Sequence, residues 1–393
     1  MWPHIVRRIP QLDGLRGIAI GLVVLHHFIY QFHAPMPETL TTIAYSVARL
    51  GWSGVDLFFI LSGFLIGGIL VDARDSESYY STFYIRRVFR ILPIYLALLF
   101  LGFLLVELPG RSGPAFGGAP LHVAPWLYYL TFTQNFFFAS HVQTVWYLQV
   151  TWSLAVEEQF YLTLPLLVRT ISREKLLAVV VSMVVFFAVL RSALYSAGHL
   201  TPMQAYVLPF CRFDSLFIGV TCALLLRDPT WSARFQKHPR LLLAATALCG
   251  CFFFLMDHNL WSKNLLLHTL GFTVISLFYA STMLLVLLHP QFVLSRALTY
   301  KPLIQLGTVS YCVYLIHGLV LPVVDQRVKS FLSPSDFEMW VVILTGMALT
   351  FLLAQGSWIV FESRMIALGH KFTYAGRQAL KPAAGTASNP VAS

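Results

Sequence analysis

Charged residues are scarce in this chain: they make up 11% of its 393 residues, against 57% for hydrophobic residues. A typical soluble domain has about 25% charged residues, so this composition excludes an ordinary soluble fold. Cysteine is also scarce, and its spacing matches neither a metal site nor a disulfide framework. The five cysteines are Cys211, Cys222, Cys249, Cys251 and Cys312. Each falls in an apolar run, where we interpret it as a small packing residue.

Apolar stretches long enough to cross a bilayer recur along the whole chain. A transmembrane helix needs about 20 mainly apolar residues. Ten spans are predicted, at 14–32, 52–71, 91–108, 148–168, 175–194, 208–226, 240–256, 265–288, 303–324 and 338–361. We therefore predict an all-α polytopic membrane bundle over residues 1–365 and a largely disordered cytoplasmic tail over 366–393. The first run lacks a clear signal-peptide cleavage site, so we expect it to stay as a helix.

The net charge of +10 is compatible with a nucleic-acid partner, but the positions of the charges favour another explanation. With the N-terminus inside, most Lys and Arg residues fall in the segments on the inner side of the membrane. This distribution is the positive-inside rule. It predicts cytoplasmic termini, a lipid bilayer as the partner and no nucleic acid.

The stretch 124–147 is an apolar run that this topology leaves out. It is rich in Trp, Tyr and Phe, which concentrate at membrane interfaces. If it were a span, the basic segment after residue 168 would lie outside. We interpret it as a re-entrant or interfacial segment on the outer side, and the alternative is a bundle of eleven spans.

Ionisable side chains within the spans need a reason, because each costs about 2.5–3.5 kcal/mol on insertion scales. In the first span, Asp13 and Arg16 can pair on one helix face. At about 100° per residue, His27 returns to the face of Arg16 and lies about 16 Å deeper. A neutral imidazole near mid-membrane is a natural proton acceptor. The alternative is a histidine that only packs.

Two adjacent carboxylates, Glu157 and Glu158, lie in the fourth span with no basic residue within a helical turn. Ser153, Glu157 and Tyr161 follow one another at a spacing of four residues. They therefore share a polar face, which favours Glu157 as the member that faces a cavity. A structural ion pair with a buried arginine is the alternative, and the choice between the two glutamates stays open.

Three arginines, Arg86, Arg87 and Arg90, precede the third span and present cations at the inner membrane surface. Guanidinium groups suit phosphate oxygens, so these residues are candidates for binding phosphate groups. Anchoring to anionic lipid is the alternative.

Further residues are candidates for contacting a substrate: Ser62, Trp152, Arg212, Asp214 and His317. For Ser62 alone, a hydrogen bond to the carbonyl four residues earlier is the simpler interpretation. His317 lies inside the ninth span, where a packed histidine is a serious alternative.

The order of these motifs resembles that of acyltransferase family 3, a family of membrane O-acyltransferases. The resemblance covers roughly residues 9–362 and rests on LDGLRGIAI…LHHF, GVDLFFILSGFL, RRVFRILPIY, WSLAVEEQFYLTLP, RFDSLFIG and SYCVYLIH. It implies a ten-helix bundle with cytoplasmic termini and an acyl-CoA donor, usually acetyl-CoA. The acceptors it implies are hydroxyls of cell-surface glycans, lipid-linked sugars or macrolide-type products.

The resemblance also implies roles for a histidine and an arginine of the first helix, a pair of CoA-binding arginines and two carboxylates. By motif, these fall on His27 and Arg16, on Arg87 and Arg90, and on Glu157 and Glu158. The chain departs from the family at its last helix, where Glu-Ser-Arg replaces a frequent Glu-x-Pro pattern. Some members carry an additional C-terminal hydrolase-like domain. This chain stops after the tenth span, so we expect the membrane domain to complete the transfer itself.

The resulting prediction is an O-acyltransferase of the bacterial inner membrane that moves an acetyl group from cytoplasmic acetyl-CoA to a glycan or lipid-linked sugar, without a metal. Arg87 and Arg90 would hold the CoA phosphates, with Arg16 near the thioester. His27, oriented by one of the two glutamates, would deprotonate the acceptor hydroxyl or briefly carry the acyl group. The alternatives are acylation of a hydrophobic small molecule such as a macrolide, and a non-catalytic transporter or flippase.

Overall fold

The computed structural model describes residues 9–30, 40–107, 126–140, 146–256, 260, 262–333 and 335–374. The described residues form helices and no strand, which confirms the all-α prediction. The Gly- and Pro-rich loop 109–123 and most of the predicted tail lie outside the described residues.

The first half of the chain forms nine helices within the described ranges. They are α1 (Pro10–Leu25), α2 (Leu40–Leu50), α3 (Gly54–Ala73), α4 (Tyr79–Glu107), α5 (Trp126–Leu130), α6 (Gln134–Ser140), α7 (Trp146–Gln149), α8 (Thr151–Thr170) and α9 (Arg173–Ser196). α1 continues into a π-helical turn, His26–Tyr30, and a 3₁₀ turn, Gly51–Ser53, leads into α3.

The second half of the chain forms ten more helices by the same description. They are α10 (Pro202–Val207), α11 (Phe213–Arg227), α12 (Pro229–Lys237), α13 (Pro239–Leu255), α14 (Phe272–Leu288), α15 (Val293–Ala297), α16 (Lys301–Thr308), α17 (Ser310–Lys329), α18 (Asp336–Ser357) and α19 (Ser363–His370). A 3₁₀ turn, Pro209–Cys211, precedes α11, and a π-helical turn, Leu267–Gly271, leads into α14. Another π-helical turn, Trp358–Glu362, joins α18 to α19.

Five helical stretches among the described residues are long and apolar enough to cross a membrane. They are Pro10–Tyr30, Tyr45–Ala73, Arg173–Ser196, Leu267–Leu288 and Phe337–His370. Two bent pairs raise the number to as many as seven: α12 with α13, bent by 80°, and α16 with α17, bent by 74°. All ten predicted spans fall on helices, but those on α4, α8 and α11 do not meet this test. The number of ten and the side that each terminus faces stay predictions.

The described part of the stretch 124–147 consists of three short helices, α5, α6 and α7, of five, seven and four residues. None of these three helices is long enough to cross a bilayer. Buried Asn135 of α6 exchanges hydrogen bonds with Gln159 of α8, and Gln159 also donates to the Phe132 carbonyl at 2.7 Å. Hydrogen bonds therefore hold part of this stretch against α8. The short helices agree with a segment that does not cross the membrane as one helix.

The helix α1 packs directly, backbone against backbone, on its neighbours. A Cβ added at Gly14 would collide with the carbonyl of Leu298, and one added at Gly307 would collide with the carbonyl of Asp13. Gly63 of α3 meets the carbonyl of Leu216 in α11 in the same way. Small residues of this kind let membrane helices approach closely. The helices that carry the candidate site are thus held at short, fixed distances.

The last helix continues through the Glu-Ser-Arg sequence at which the resemblance left its exit undefined. α18, the π-helical turn and α19 form one helical path from Asp336 to His370, and the predicted domain boundary at residue 365 falls inside α19. Buried Glu362 lies in the π-helical turn, where Ser357 donates a hydrogen bond to it at 3.2 Å.

Candidate active site

One end of the bundle collects basic side chains from several helices, and we call it the basic end. Arg74, after α3, donates hydrogen bonds to the carbonyls of Arg169 and Ile171 at the end of α8. Arg227, at the end of α11, pairs with Asp72 at 2.8 Å. The ends of α3, α8 and α11 therefore meet on one side of the bundle, and this is the side predicted to face the cytoplasm.

A cavity of about 300 Å³ lies near this end, and we call it the cationic cavity. It is bounded by side chains of α1, α3, α4, α8, α17 and the C-terminal residues. Its polar lining consists of Arg16, Ser62, Arg86, Arg87, Arg90, Ser153, Glu157, Tyr161, Ser310, Tyr311, Tyr314, His370 and Tyr374. The structure thus brings together four of the five predicted arginines, the predicted serine and one of the two predicted glutamates.

Glu157 is the glutamate that lines the cationic cavity, as the spacing of Ser153, Glu157 and Tyr161 predicted. Tyr161 donates a hydrogen bond of 2.7 Å to the Glu157 carboxylate. Because Tyr161 uses its only proton there, the hydrogen bond between Ser62 and Tyr161 must have Ser62 as the donor. Ser62, Tyr161 and Glu157 therefore form a directed chain, instead of the bond from Ser62 to its own helix that was the simpler expectation.

Glu158 points elsewhere. Among the described residues, the lining of the cationic cavity does not include it, and its Oε1 atom is buried without a hydrogen-bond partner. The geometry favours Glu157 as the carboxylate available to a ligand, and its catalytic role stays a prediction.

The arginines of the cationic cavity lie within electrostatic range of one another. Arg16 pairs with Asp13 at 3.5 Å, as the sequence predicted, and the charges of Arg16 and Arg87 both act on Arg90. The Arg87 guanidinium lies 5.6 Å from the centre of the Tyr161 ring, a cation–π contact beside Glu157. Like charges held together in this way repel one another, so an anionic ligand would relieve the repulsion.

A second cavity of about 70 Å³ adjoins the first, and we call it the histidine cavity. Its lining includes His26, His27, Trp52, Gln149, Trp152, Tyr206 and Tyr314. Val55 and Tyr314 line both cavities, so the two spaces are neighbours at these side chains. Tyr314 is fixed there because its hydroxyl contacts the Val150 carbonyl at 2.9 Å and Ser153 Oγ at 2.6 Å.

His27 lies in the π-helical turn that follows α1, and turns of this kind occur frequently at functional sites. Its Nδ1 donates a hydrogen bond of 2.8 Å to the Val23 carbonyl. A carbonyl oxygen can only accept, so Nδ1 carries the proton and Nε2 carries the lone pair of the neutral ring. The carbonyl of Val23 thus orients the ring, and the role of His27 as proton acceptor stays a prediction. His26 differs, because its Nδ1 is bonded to the Ala48 carbonyl of α2.

His317 of α17 packs against His27, with 4.7 Å between the ring centres. Its Nδ1 bonds the Val313 carbonyl at 3.2 Å, and its buried Nε2 has no hydrogen-bond partner among the described residues. Sequence reasoning named His317 as a candidate without placing it beside His27. The contact joins residues 290 positions apart, which no local pattern reveals.

Arg212 and Asp214 are placed apart from both cavities. Among the described residues, neither cavity lining includes them. Arg212 pairs with Asp56, and Asp214 pairs with Arg191 at 2.8 Å, all four side chains being fully buried. The Arg212 guanidinium lies 4.2 Å from the centre of the Phe272 ring. This placement fits a role in holding helices together, with Tyr206 between Arg212 and the histidine cavity.

Four tyrosines and a histidine line the cavities although the sequence did not single them out: Tyr206, Tyr311, Tyr314, Tyr374 and His370. Tyr314 lies in the SYCVYLIH motif, three residues before His317, and this proximity was the available signal. His370 and Tyr374 fall after the predicted domain boundary, so they were assigned to the tail.

A helical bundle with several candidate membrane spans and a buried polar site defines a multi-pass membrane protein. Residues 9–359 match the family model described as "Acyltransferase domain", and the chain belongs to this family. No solved structure matches the chain.

Three curated relatives show what the chain is similar to. The putative peptidoglycan O-acetyltransferase YrhL of Bacillus subtilis is 30% identical over 376 residues, covering 91% of this chain and 54% of YrhL. The O-acetyltransferase OatA of Staphylococcus aureus is 25% identical, covering 93% and 58%. The peptidoglycan O-acetyltransferase OatA of Listeria monocytogenes is 27% identical, covering 90% and 55%. The chain therefore spans little more than half the length of these relatives.

Proposed function

We propose that the chain is a membrane O-acetyltransferase that moves an acetyl group from acetyl-CoA, bound from the cytoplasm, to a hydroxyl of a cell-surface glycan. The observation that supports this most is that the cationic cavity and the histidine cavity are neighbours, with Tyr314 and Val55 in both linings. The arginines of the cationic cavity suit a polyphosphorylated donor, and His27 of the histidine cavity is the proposed base. The proposal places the protein in the bacterial inner membrane.

The donor would bind in the cationic cavity. Arg87 and Arg90 are suited to the CoA phosphates, because guanidinium groups form charge-assisted and often bidentate hydrogen bonds with phosphate oxygens. The thioester would then lie deeper, near Arg16, Glu157 and Tyr161. The positive charge of Arg16 favours the oxyanion that forms when the thioester carbonyl is attacked.

The acceptor would approach from the histidine cavity. Trp52, Trp152 and Tyr206 line this cavity, and aromatic rings are surfaces on which the C–H face of a sugar ring can pack. His27 Nε2 takes the proton of the acceptor hydroxyl, whose oxygen attacks the thioester carbon. When the tetrahedral intermediate collapses, the C–S bond breaks and the CoA thiolate leaves. His27 then returns its proton to that thiolate, which leaves an acetyl ester and CoA–SH.

The acceptor class is proposed from the relatives. Two of the three relatives described above carry peptidoglycan in their names, so a cell-wall glycan is the first acceptor to test. A lipid-linked sugar is the second, since it presents the same hydroxyls at the membrane surface. Mass spectrometry of surface glycans from cells with and without the gene tests both, because acetylation adds a recognisable mass to one sugar.

The decisive experiment uses the full-length protein in proteoliposomes with radiolabelled acetyl-CoA. We expect labelled acetyl to reach an added glycan acceptor, and we expect the His27→Ala variant to lose about 10²- to 10⁴-fold in rate, the usual contribution of a general base. His199→Ala serves as the control, since His199 is exposed in the turn after α9. A His27→Ala protein as fast as wild type would overturn the assignment. A transporter or flippase would release and transfer no acetyl group at all.

A further inference from the structure

The C-terminal segment, Ser363–Tyr374, folds back along the first turns of α4. Arg86 donates a hydrogen bond of 2.8 Å from Nε to the Phe372 carbonyl, and Thr82 donates one of 3.3 Å to the Thr373 carbonyl. The Phe372 ring stacks on that of Phe89, with 6.4 Å between the ring centres. The segment is therefore held by directional bonds as well as by apolar packing.

The segment approaches α4 closely at a glycine. A Cβ at Gly369 would lie 3.0 Å from the Cβ of Phe89 and 3.5 Å from the Cα of Arg86. Even the smallest side chain at this position would need its neighbour Phe89 to give way by a few tenths of an ångström, and a large one would displace α19. The contact places His370 and Tyr374, which follow Gly369 in the chain, at the cationic cavity.

His370 and Tyr374 both line the cationic cavity, yet His370 is also exposed. A side chain that faces both the cavity and the exterior lies at the rim. Tyr374 lies beside it, with its ring centre 5.2 Å from the Arg86 guanidinium. The charges of Arg86, Arg87 and Arg90 all act on His370. The rim thus combines an imidazole and a phenol with three cations.

The matched family region ends at residue 359, before the C-terminal segment begins. The cavity that contains the α4 arginines proposed to bind the donor is therefore partly lined by residues outside the matched family region. A thioester placed deep in the cavity, near Glu157, leaves the nucleotide of the donor at the rim. Purine rings stack on aromatic side chains and phosphates bind guanidinium groups, and the rim offers both.

From this geometry we infer that the C-terminal segment is part of the donor site, with His370 and Tyr374 contacting the nucleotide half of the acyl-CoA. The inference rests on the proposed function and extends it from the arginines of α4 to residues outside the matched family region. It assigns the segment to donor recognition, with no part in the chemical step.

The test compares two donors that share the same thioester: acetyl-CoA, and S-acetylpantetheine, which lacks the nucleotide. Wild-type, His370→Ala and Tyr374→Ala proteins of full length are assayed in proteoliposomes. We expect each variant to raise the KM for acetyl-CoA by about tenfold, with kcat within about twofold of wild type. The kinetics with S-acetylpantetheine should be unchanged, and this also shows that the variant is folded.

Lys371→Ala is the matched control, because Lys371 adjoins His370 and is exposed, but does not appear in the cavity lining of the described residues. Gly369→Leu provides a second route, since it displaces the segment without touching either rim residue, and it should show the same selective loss. Equal effects on both donors, an unchanged KM for acetyl-CoA, or an equal effect of Lys371→Ala would each overturn the inference. A wild-type protein that transfers acetyl from neither donor would instead refute the proposed function itself.

Discussion

Buried charges occur in two regions of this molecule, and they are arranged differently. Between α3, α9 and α11, two arginines meet two aspartates in fully buried pairs, Arg212 with Asp56 and Arg191 with Asp214. In the cationic cavity, four arginines share the described lining with a single carboxylate, that of Glu157. The paired region balances its own charges, whereas the described lining of the cavity has four cations and one carboxylate. Asp13, outside that lining, offsets only the charge of Arg16. The proposed function therefore assigns donor binding to the cations of the lining, and the buried pairs fit a role in holding helices together.

The largest effect is expected where pairing is broken. Arg212→Ala leaves the Asp56 carboxylate fully buried without its cation, which should lower the stability by about 3–5 kcal/mol. Thermal denaturation in detergent, followed by the loss of monodisperse protein, measures the change.

The double variant Arg212→Met with Asp56→Leu should recover most of the stability, because it removes both charges. Lys329→Ala, which breaks the exposed pair with Asp325, should cost less than about 1 kcal/mol. An Arg212→Ala protein as stable as wild type would contradict a structural role for the pair of Arg212 with Asp56.

An intermediate effect is expected where a binding charge is removed. Arg87→Gln should raise the KM for acetyl-CoA by about 10- to 100-fold, because hydrogen bonds to charged groups contribute about 1.5–3 kcal/mol. The thermal stability should change little, since the substitution removes the contact with the Tyr161 ring but also reduces repulsion with Arg16 and Arg90. Arg173→Gln is the control, because Arg173 lies at the same basic end in an exposed pair with Asp75. An equal change of KM in both variants would mean that the general surface charge, not the cavity, attracts the donor.

The smallest effect distinguishes the two adjacent glutamates. Glu157→Gln should lower kcat by about tenfold, because the amide can still accept the hydrogen bond from Tyr161 but no longer balances the arginine charges. Glu158→Gln should stay within about twofold of wild type, since Glu158 does not contribute to the described cavity lining. Single-turnover rates with saturating acetyl-CoA measure both. The reverse order would show that Glu158 turns into the cavity during catalysis.

Features set by local spacing could be predicted from the sequence. The four-residue spacing of Ser153, Glu157 and Tyr161 correctly predicted the face of α8 that lines the cavity, and the ten apolar runs all lie on helices. The sharp bends between α12 and α13 and between α16 and α17 were not predicted, although Pro239 follows the first of them. Apolar periodicity reports the presence of a helix and says little about where its axis turns.

Features that depend on partners distant in sequence could not be predicted. Arg212 and Asp214 were selected as substrate contacts because an intramembrane charge has a functional reading by default. Their partners, Asp56 and Arg191, lie on other helices. Similarly, the partner of Ser62 is Tyr161, 99 residues away. Whether a buried charge has an oppositely charged partner depends on how the helices pack, so the sequence around that charge does not reveal it.

The backbone contacts of α1 have a mechanical consequence. Gly14 against the Leu298 carbonyl, and Gly307 against that of Asp13, leave no layer of side chains on which this helix could slide. Arg16 in α1 and His27 in the turn that follows it lie on one continuous helical path, and the part that carries Arg16 has little room to shift. If Arg16 holds the thioester and His27 is the base, as proposed, we expect the two substrates to be brought together past Val55 and Tyr314, the side chains that line both cavities.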